Sequence, residues 1–287
     1  MKIIRSADDM QQLSRSIKSE GKTIGFVPTM GFLHEGHLQL VQKSVLSCDV
    51  TVMSIFVNPL QFGPGEDFER YPRDFKRDSE LAEKHGVDYL FYPEVEELYP
   101  GELSVQLKAA TRVNVLCGAS RPGHFDGVVT VLTILFNLVM PDKSFFGQKD
   151  AQQVAVVQGL VSSFRIPVDI VPVETVRESD GLAKSSRNVY LSAHERNEAP
   201  IIYKALTKAK TAYLEHGIDE ALQMINNEIS KTSGLIDYAE IWSYPDLQQP
   251  VEKTGQIIIA AAVKFERARL IDNIIFTVEE ESSCFGQ

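Results

Sequence analysis

Cysteine is scarce in this chain. Its 287 residues include three, Cys48, Cys117 and Cys284, far apart in sequence and without a C-x-x-C pair. That excludes a disulfide framework and leads to an expectation of reduced thiols in a cytoplasmic protein. Long apolar runs are also missing. The longest, Val128 to Met140, is interrupted by Thr130, Thr133 and Asn137 and is too short to span a bilayer. The segment Met1 to Ser6 lacks the apolar stretch of a signal peptide. Positive charge is in deficit, with 29 Lys and Arg against 39 Asp and Glu and a formal net charge of -10. Such a chain as a whole repels nucleic acid and anionic membrane, so neither is expected as a partner. A bound phosphate must therefore meet a local patch of cations and backbone N–H groups, which points to a small-molecule pocket.

Apolar residues make up 44% of the chain, enough for a full core without structural metal. The length suits one large or two modest domains. Met10, Leu13 and Ile17 give residues 8–20 the spacing of an amphipathic helix. Buried strands are expected at Thr23–Pro28 and Asp49–Val57, and further strands at Val87–Tyr92 and Val168–Val173. Helices are expected at His37–Cys48, Glu80–His85, Val128–Val139 and Ala151–Phe164, with Gly86 as a C-cap and Pro141 as a stop. This alternation predicts a Rossmann-like, doubly wound parallel α/β domain over residues 1–176. A helix-rich stretch from Ser192 to Ile229 and strands at Ile236–Trp242, Ile257–Val263 and Ile271–Val278 then predict a second, smaller α+β domain over 177–287. A hinge is expected near 174–180. There is no clear internal repeat and no low-complexity linker.

The loop Pro28-Thr29-Met30-Gly31-Phe32-Leu33-His34-Glu35-Gly36-His37 follows the first long strand and leads into a helix expected near Gly36 or His37. Loops at that edge of a parallel sheet bind ligands. A helix start offers N–H groups and the positive end of its dipole, while Gly31 and Gly36 allow close approach. Imidazoles there add donors for charge developing on a phosphate. A pair of solvated loop histidines is the plain reading. Zinc is a poor fit, because H-E-x-x-H puts both rings on one helical face and H-E-G-H is one residue short. The G-K-[ST] ending of a Walker loop is absent.

Other polar segments fall where strands end. Asn58 and Gln61 stand beside Pro59, where Asn58 suits turn capping. Arg121-Pro122-Gly123-His124-Phe125 enters the long buried helix. Lys149 and Asp150 stand before another helix, with Gln153 one turn on, as a phosphate cation and a ribose acceptor or as a surface pair. Lys184-Ser185-Ser186-Arg187 sets two hydroxyls between two cations, which suits a phosphate clamp and equally an ordinary charged connector.

Taken together, the P-T-M-G-F-L-H-E-G-H, V-N-P-L-Q-F, R-P-G-H-F, F-G-Q-K-D-A-Q-Q and S-S-R-N segments, in this order over about 24–191, resemble the pantothenate synthetase family. That family belongs to the nucleotidylyltransferase superfamily, with an H-x-G-H motif. The resemblance implies an ATP-dependent ligase that joins pantoate to β-alanine through a pantoyl adenylate, with Mg²⁺ at the phosphates. It implies ATP contacts at Met30, His34, His37, Gly147, Lys149, Asp150, Val176, Lys184, Ser185, Ser186 and Arg187. The catalytic set is His34, His37, Lys149, Ser185 and Arg187; no protein-held metal is implied. Gln61 and Gln153 would bind pantoate, supported by Asn58. A homodimer and a closing lid from the second domain are further expectations. Many members have methionine at the position of Lys184, which leaves its role between phosphate and solvent. A nucleotidylyltransferase that keeps the nucleotide on its product, and a non-catalytic nucleotide-binding protein, remain open alternatives.

Overall fold

The structure is a computed structural model that describes residues 1–250 and 254–279; Cys284 lies outside the described residues. The chain forms two compact units, one of residues 1–113, 121–176 and 184–186 and the other of 114–120, 177–183 and 187–287.

The first unit begins with β1 (Lys2–Ile4), α1 (Ala7–Ser19), β2 (Ile24–Thr29), α2 (Glu35–Val45) and β3 (Val50–Ile55). It continues with α3 (Phe75–Lys84), β4 (Tyr89–Phe91) and α4 (Val95–Leu98). The short α5 (Leu116–Ser120) falls in the second unit. The chain then returns through α6 (His124–Val139), β5 (Lys143–Gly147), α7 (Ala151–Phe164) and β6 (Asp169–Val173). All six strands form one parallel sheet in the order β1-β4-β3-β2-β5-β6. β3 is buried along its whole length, as expected for a strand covered on both faces.

The strand order fixes where a ligand belongs. From β2 the chain winds outward through β3 and β4, then crosses back to build β5 and β6 on the other side. Winding reverses between β2 and β5, and crevices at such reversals bind ligands beyond the strands' carboxyl ends. The segment after β2 is the histidine loop, and the segment after β5 is Gln148–Asp150.

The helices follow their sequence signals with shifted ends. α3 begins at Phe75 rather than Glu80, because Asp74 caps it by accepting the Arg77 N–H at 3.1 Å. Gly86 follows its C-cap with φ 90, the left-handed geometry glycine tolerates. β1 carries no apolar alternation that would announce it; it is held by pairing with β4.

The second unit holds α8 (Ala193–Glu198), α9 (Ile201–His216) and α10 (Ile218–Ile229). An antiparallel sheet of β7 (Leu235–Ser243), β8 (Gly255–Lys264) and β9 (Arg269–Val278) completes it. Its core joins Leu206, Tyr213 and Ile225 of the helices to Ile257, Ile259 and Phe276 of the sheet.

One contact in the first unit leaves no tolerance. A Cβ added at Gly127 in α6 would stand 2.3 Å from the Leu60 carbonyl oxygen. That lets α6 lie directly on the turn Pro59–Gln61. Gly127→Ala should therefore cost about 1–3 kcal/mol by overpacking. Urea unfolding measures it, and an unchanged midpoint would show that the turn is free to move.

Candidate active site

The start of α2 is capped by its own histidines. His34 is the N-cap, in extended geometry at φ -138 and ψ 175. Its Nδ1 accepts the Gly36 N–H at 3.1 Å, and the Nδ1 of His37 accepts the His34 N–H at 3.3 Å. This moves the helix start to Glu35 and revises the expectation of open N–H groups, since the N–H groups of His34 and Gly36 are taken by the rings. Gly36 also has a different task from the one expected. A Cβ there would lie 2.8 Å from Cε1 of His34, so the glycine makes room for the imidazole.

The rings lie against each other tilted by 38°, with centroids 4.1 Å apart. Burial, followed by the charge of Lys149, holds the His34 pKa down to about 4. Burial, then His34, then Lys149 holds His37 well below its usual range. Both rings are therefore neutral near pH 7. With Nδ1 accepting, each proton sits on Nε2. The pair offers two Nε2–H donors without bringing positive charge.

The loop before this cap is pinned from α3. The carboxylate of Asp78, 1% exposed, accepts the N–H groups of Phe32 at 2.6 Å and Leu33 at 2.8 Å. Arg77 donates to the Leu33 carbonyl at 2.9 Å. These bonds hold Gly31 at φ 85 and Phe32 at φ 51, the second a left-handed position that a bulky residue keeps only under restraint. Neither Arg77 nor Asp78 belongs to a motif in the sequence. The available signal was an aspartate at the inner-face spacing of Phe75, Asp78 and Ala82.

Lys184 and Ser186 also reach this loop. Residues 177–183 make a closed excursion, bridged between Arg177 and Ala183, and the Lys184 N–H returns to the Val176 carbonyl at 2.9 Å. Lys184 Nζ then lies 3.2 Å from Glu35, which places it beside the histidines rather than in open solvent. Ser186, buried, donates its hydroxyl to the Phe32 carbonyl at 3.3 Å. Ser185 lies between them, while Arg187 falls in the second unit.

At the end of β5, Gly147 leaves open space where a Cβ would stand. Lys149 Nζ is 3.9 Å from the half-exposed Asp150. Gln153 is half-buried in the first turn of α7.

Gln61 and Asn58 form a third wall. Gln61 donates through Nε2 to the Met30 sulfur at 3.1 Å, and its Oε1 accepts from Asn58 Nδ2 at 3.2 Å. Its carbonyl accepts from His124 Nδ1 at 2.8 Å. Arg121, paired with Glu66, donates to the other ring nitrogen of His124 at 3.1 Å. That leaves His124 with its proton on Nδ1. Burial, then the Arg121 charge, lowers its pKa to about 4. Arg121 and His124 thus brace the backbone of Gln61.

A doubly wound sheet with neutral donors and lysines at its winding reversal defines an α/β protein of the nucleotide-binding class. The family model described as pantoate-beta-alanine ligase matches residues 2–275. The pantothenate synthetase of Geobacillus thermodenitrificans is 57% identical over 278 residues, covering 96% of each chain. That of Bacillus subtilis is 56% identical, covering 96% of this chain and 99% of its own. The crystal structure of the Thermus thermophilus pantothenate synthetase superposes with a TM-score of 0.89 at 41% identity, covering 96% of this chain and 99% of that one. The Francisella tularensis pantoate-beta-alanine ligase, solved with an ATP ligand described as beta-gamma ATP and with beta-alanine, gives a TM-score of 0.81 at 32% identity. It covers 96% of this chain and 97% of that one. The chain belongs to the pantoate–β-alanine ligase family.

The histidines also set a pH dependence. Unfolded, His34 takes a proton near its ordinary 6.5; folded, only near 4. Between those values the unfolded chain binds more protons, so this contribution to stability is complete above 6.5 and is lost as pH falls towards 4. His34→Gln should flatten the stability slope across that window in denaturant unfolding at stepped pH. An identical slope in both proteins would mean that His34 is not held neutral.

Proposed function

We propose that this chain condenses pantoate with β-alanine to give pantothenate, with ATP cleaved to AMP and pyrophosphate. The observation that carries the reading is the winding reversal between β2 and β5, with the histidine cap on one side and Lys149 on the other.

In the first step the pantoate carboxylate attacks the α-phosphorus of ATP. A carboxylate oxygen forms the new P–O bond as the bond to pyrophosphate breaks. Negative charge on the phosphates is met by the Nε2–H groups of His34 and His37 and by Lys149, with Lys184, Ser185 and Arg187 as further donors. Fixed donors in a buried site stabilise charge without reorganising, and one of them is worth about 10²–10³ in rate. Ser186 acts mainly on the Phe32 carbonyl and so supports the histidine loop. Met30, Gly147, Asp150 and Val176 frame the nucleotide, with Asp150 as acceptor for the ribose hydroxyls. Gln61 and Gln153 orient pantoate, and orientation alone lowers the barrier substantially. In the second step the β-alanine amine attacks the acyl carbon and AMP leaves.

Mg²⁺ is part of this reading. The described residues hold no cluster of three metal-ligating side chains, and the nearby donors are chiefly cations and N–H groups. A cation that arrives with the nucleotide would suit this donor set, with the Glu35 carboxylate beside Lys184 available to its water shell and Asp150 kept for the ribose. When bound it would spread the charge of the triphosphate. Cytoplasmic location and a homodimer complete the proposal, supported by the scattered thiols and by the family resemblance. No described helix is long and apolar enough to cross a membrane.

One assay tests the reaction. Pantoate with ATP should release pyrophosphate, and added β-alanine should then release AMP. Retention of the nucleotide on the product would instead indicate a nucleotidylyltransferase. His37→Ala should slow pyrophosphate release by at least about 10²-fold with the far-UV spectrum unchanged. A near-normal rate would remove His37 from the phosphate site.

A further inference from the structure

Asn58 sits at the centre of the Gln61 wall, 1% exposed, and uses its whole amide. Its Nδ2 donates to the Gly127 carbonyl at 3.0 Å and to Gln61 Oε1 at 3.2 Å. Its Oδ1 accepts from the Leu60 N–H at 3.2 Å and from the Tyr99 hydroxyl at 2.8 Å. Two of these partners are main-chain groups of the packed turn and helix. Tyr99 is the one side chain other than Gln61, and it arrives from the end of α4, half-buried against Phe56.

The direction of each bond matters. The phenol donates to Oδ1, so the Asn58 nitrogen faces Gln61 and donates to it. One lone pair of the Gln61 oxygen is then taken by Asn58, and its nitrogen is the end directed to Met30 in the histidine loop. A glutamine in this orientation recognises an oxygen acceptor, namely a carboxylate or a hydroxyl lone pair. A substrate carrying an ammonium in place of the hydroxyl would meet another donor at Nε2 and bind less well.

We propose that Tyr99 is a positioning residue for the acid substrate, acting through Asn58 to hold the Gln61 carboxamide with its N–H groups presented to substrate oxygens. The proposal rests on the reading of Gln61 as a pantoate ligand. Removing the phenol leaves a buried amide oxygen short of a donor. The side of the turn that carries Gln61 then loses one of its restraints, with an effect of about one hydrogen bond.

Steady-state kinetics and a double-mutant cycle test it. Tyr99→Phe keeps the ring packed on Phe56. It should raise the KM for pantoate about tenfold, with the KM for ATP unchanged and kcat within about twofold at saturating pantoate. Gln61→Ala should raise the pantoate KM further, and adding Tyr99→Phe to it should change nothing more. An unchanged pantoate KM in Gln61→Ala would overturn the assignment of Gln61 itself. A normal pantoate KM in Tyr99→Phe, or an effect that multiplies independently with Gln61→Ala, would leave that assignment intact and overturn the relay. A change confined to thermal stability would likewise overturn it.

Discussion

At the start of α2 two imidazole nitrogens accept backbone N–H groups, His34 from Gly36 and His37 from His34. A helix start usually finds serine, threonine, asparagine or aspartate for this task. Using histidine has consequences that a hydroxyl cap would not have. Each ring is fixed in position, its tautomer is chosen, and its other nitrogen is left as a donor. Asp78 supports the arrangement from below by fixing the two N–H groups just before the cap. Gly36 permits it from within, since any side chain there would collide with the ring.

Charge is arranged around this neutral pair. Lys149 comes from the far side of the winding reversal and Lys184 from the chain returning to Val176. Both lower the tendency of His34 to take a proton. Cationic rings beside the lysines would add like-charge repulsion before any phosphate arrived. Neutral donors avoid that and still answer charge as it develops. In a chain of net charge -10, the proposed triphosphate site depends on this local grouping of cations.

Much of this was legible in the sequence. Alternation of apolar strands and helices gave the parallel sheet, and the β-branched run before Asn58 marked the buried β3. The histidine loop, Gln61, Lys149 and the Lys184–Ser186 segment stood out because several polar residues sat where strands end. Tertiary partners were not legible. Asp78 lies 44 residues beyond His34 in a helix that reads as ordinary and charged; only its burial distinguishes it. Tyr99 follows a four-residue helix too short to leave a periodic signal. The role of Gly36 depends on a ring folding back over it, which spacing alone does not reveal. Strand β1 is three residues long and exists through its pairing with β4.

The central claim is that the two histidines are neutral, capped through Nδ1 and protonated on Nε2. Nitrogen-15 NMR of the imidazoles in the full-length protein near pH 7 tests it most directly, with His34→Gln and His37→Gln assigning the signals. The account predicts for both rings an unprotonated, hydrogen-bond-accepting Nδ1 and a protonated Nε2, unchanged down to about pH 5 for His34. Imidazolium signals at neutral pH, or protons on Nδ1, would contradict it.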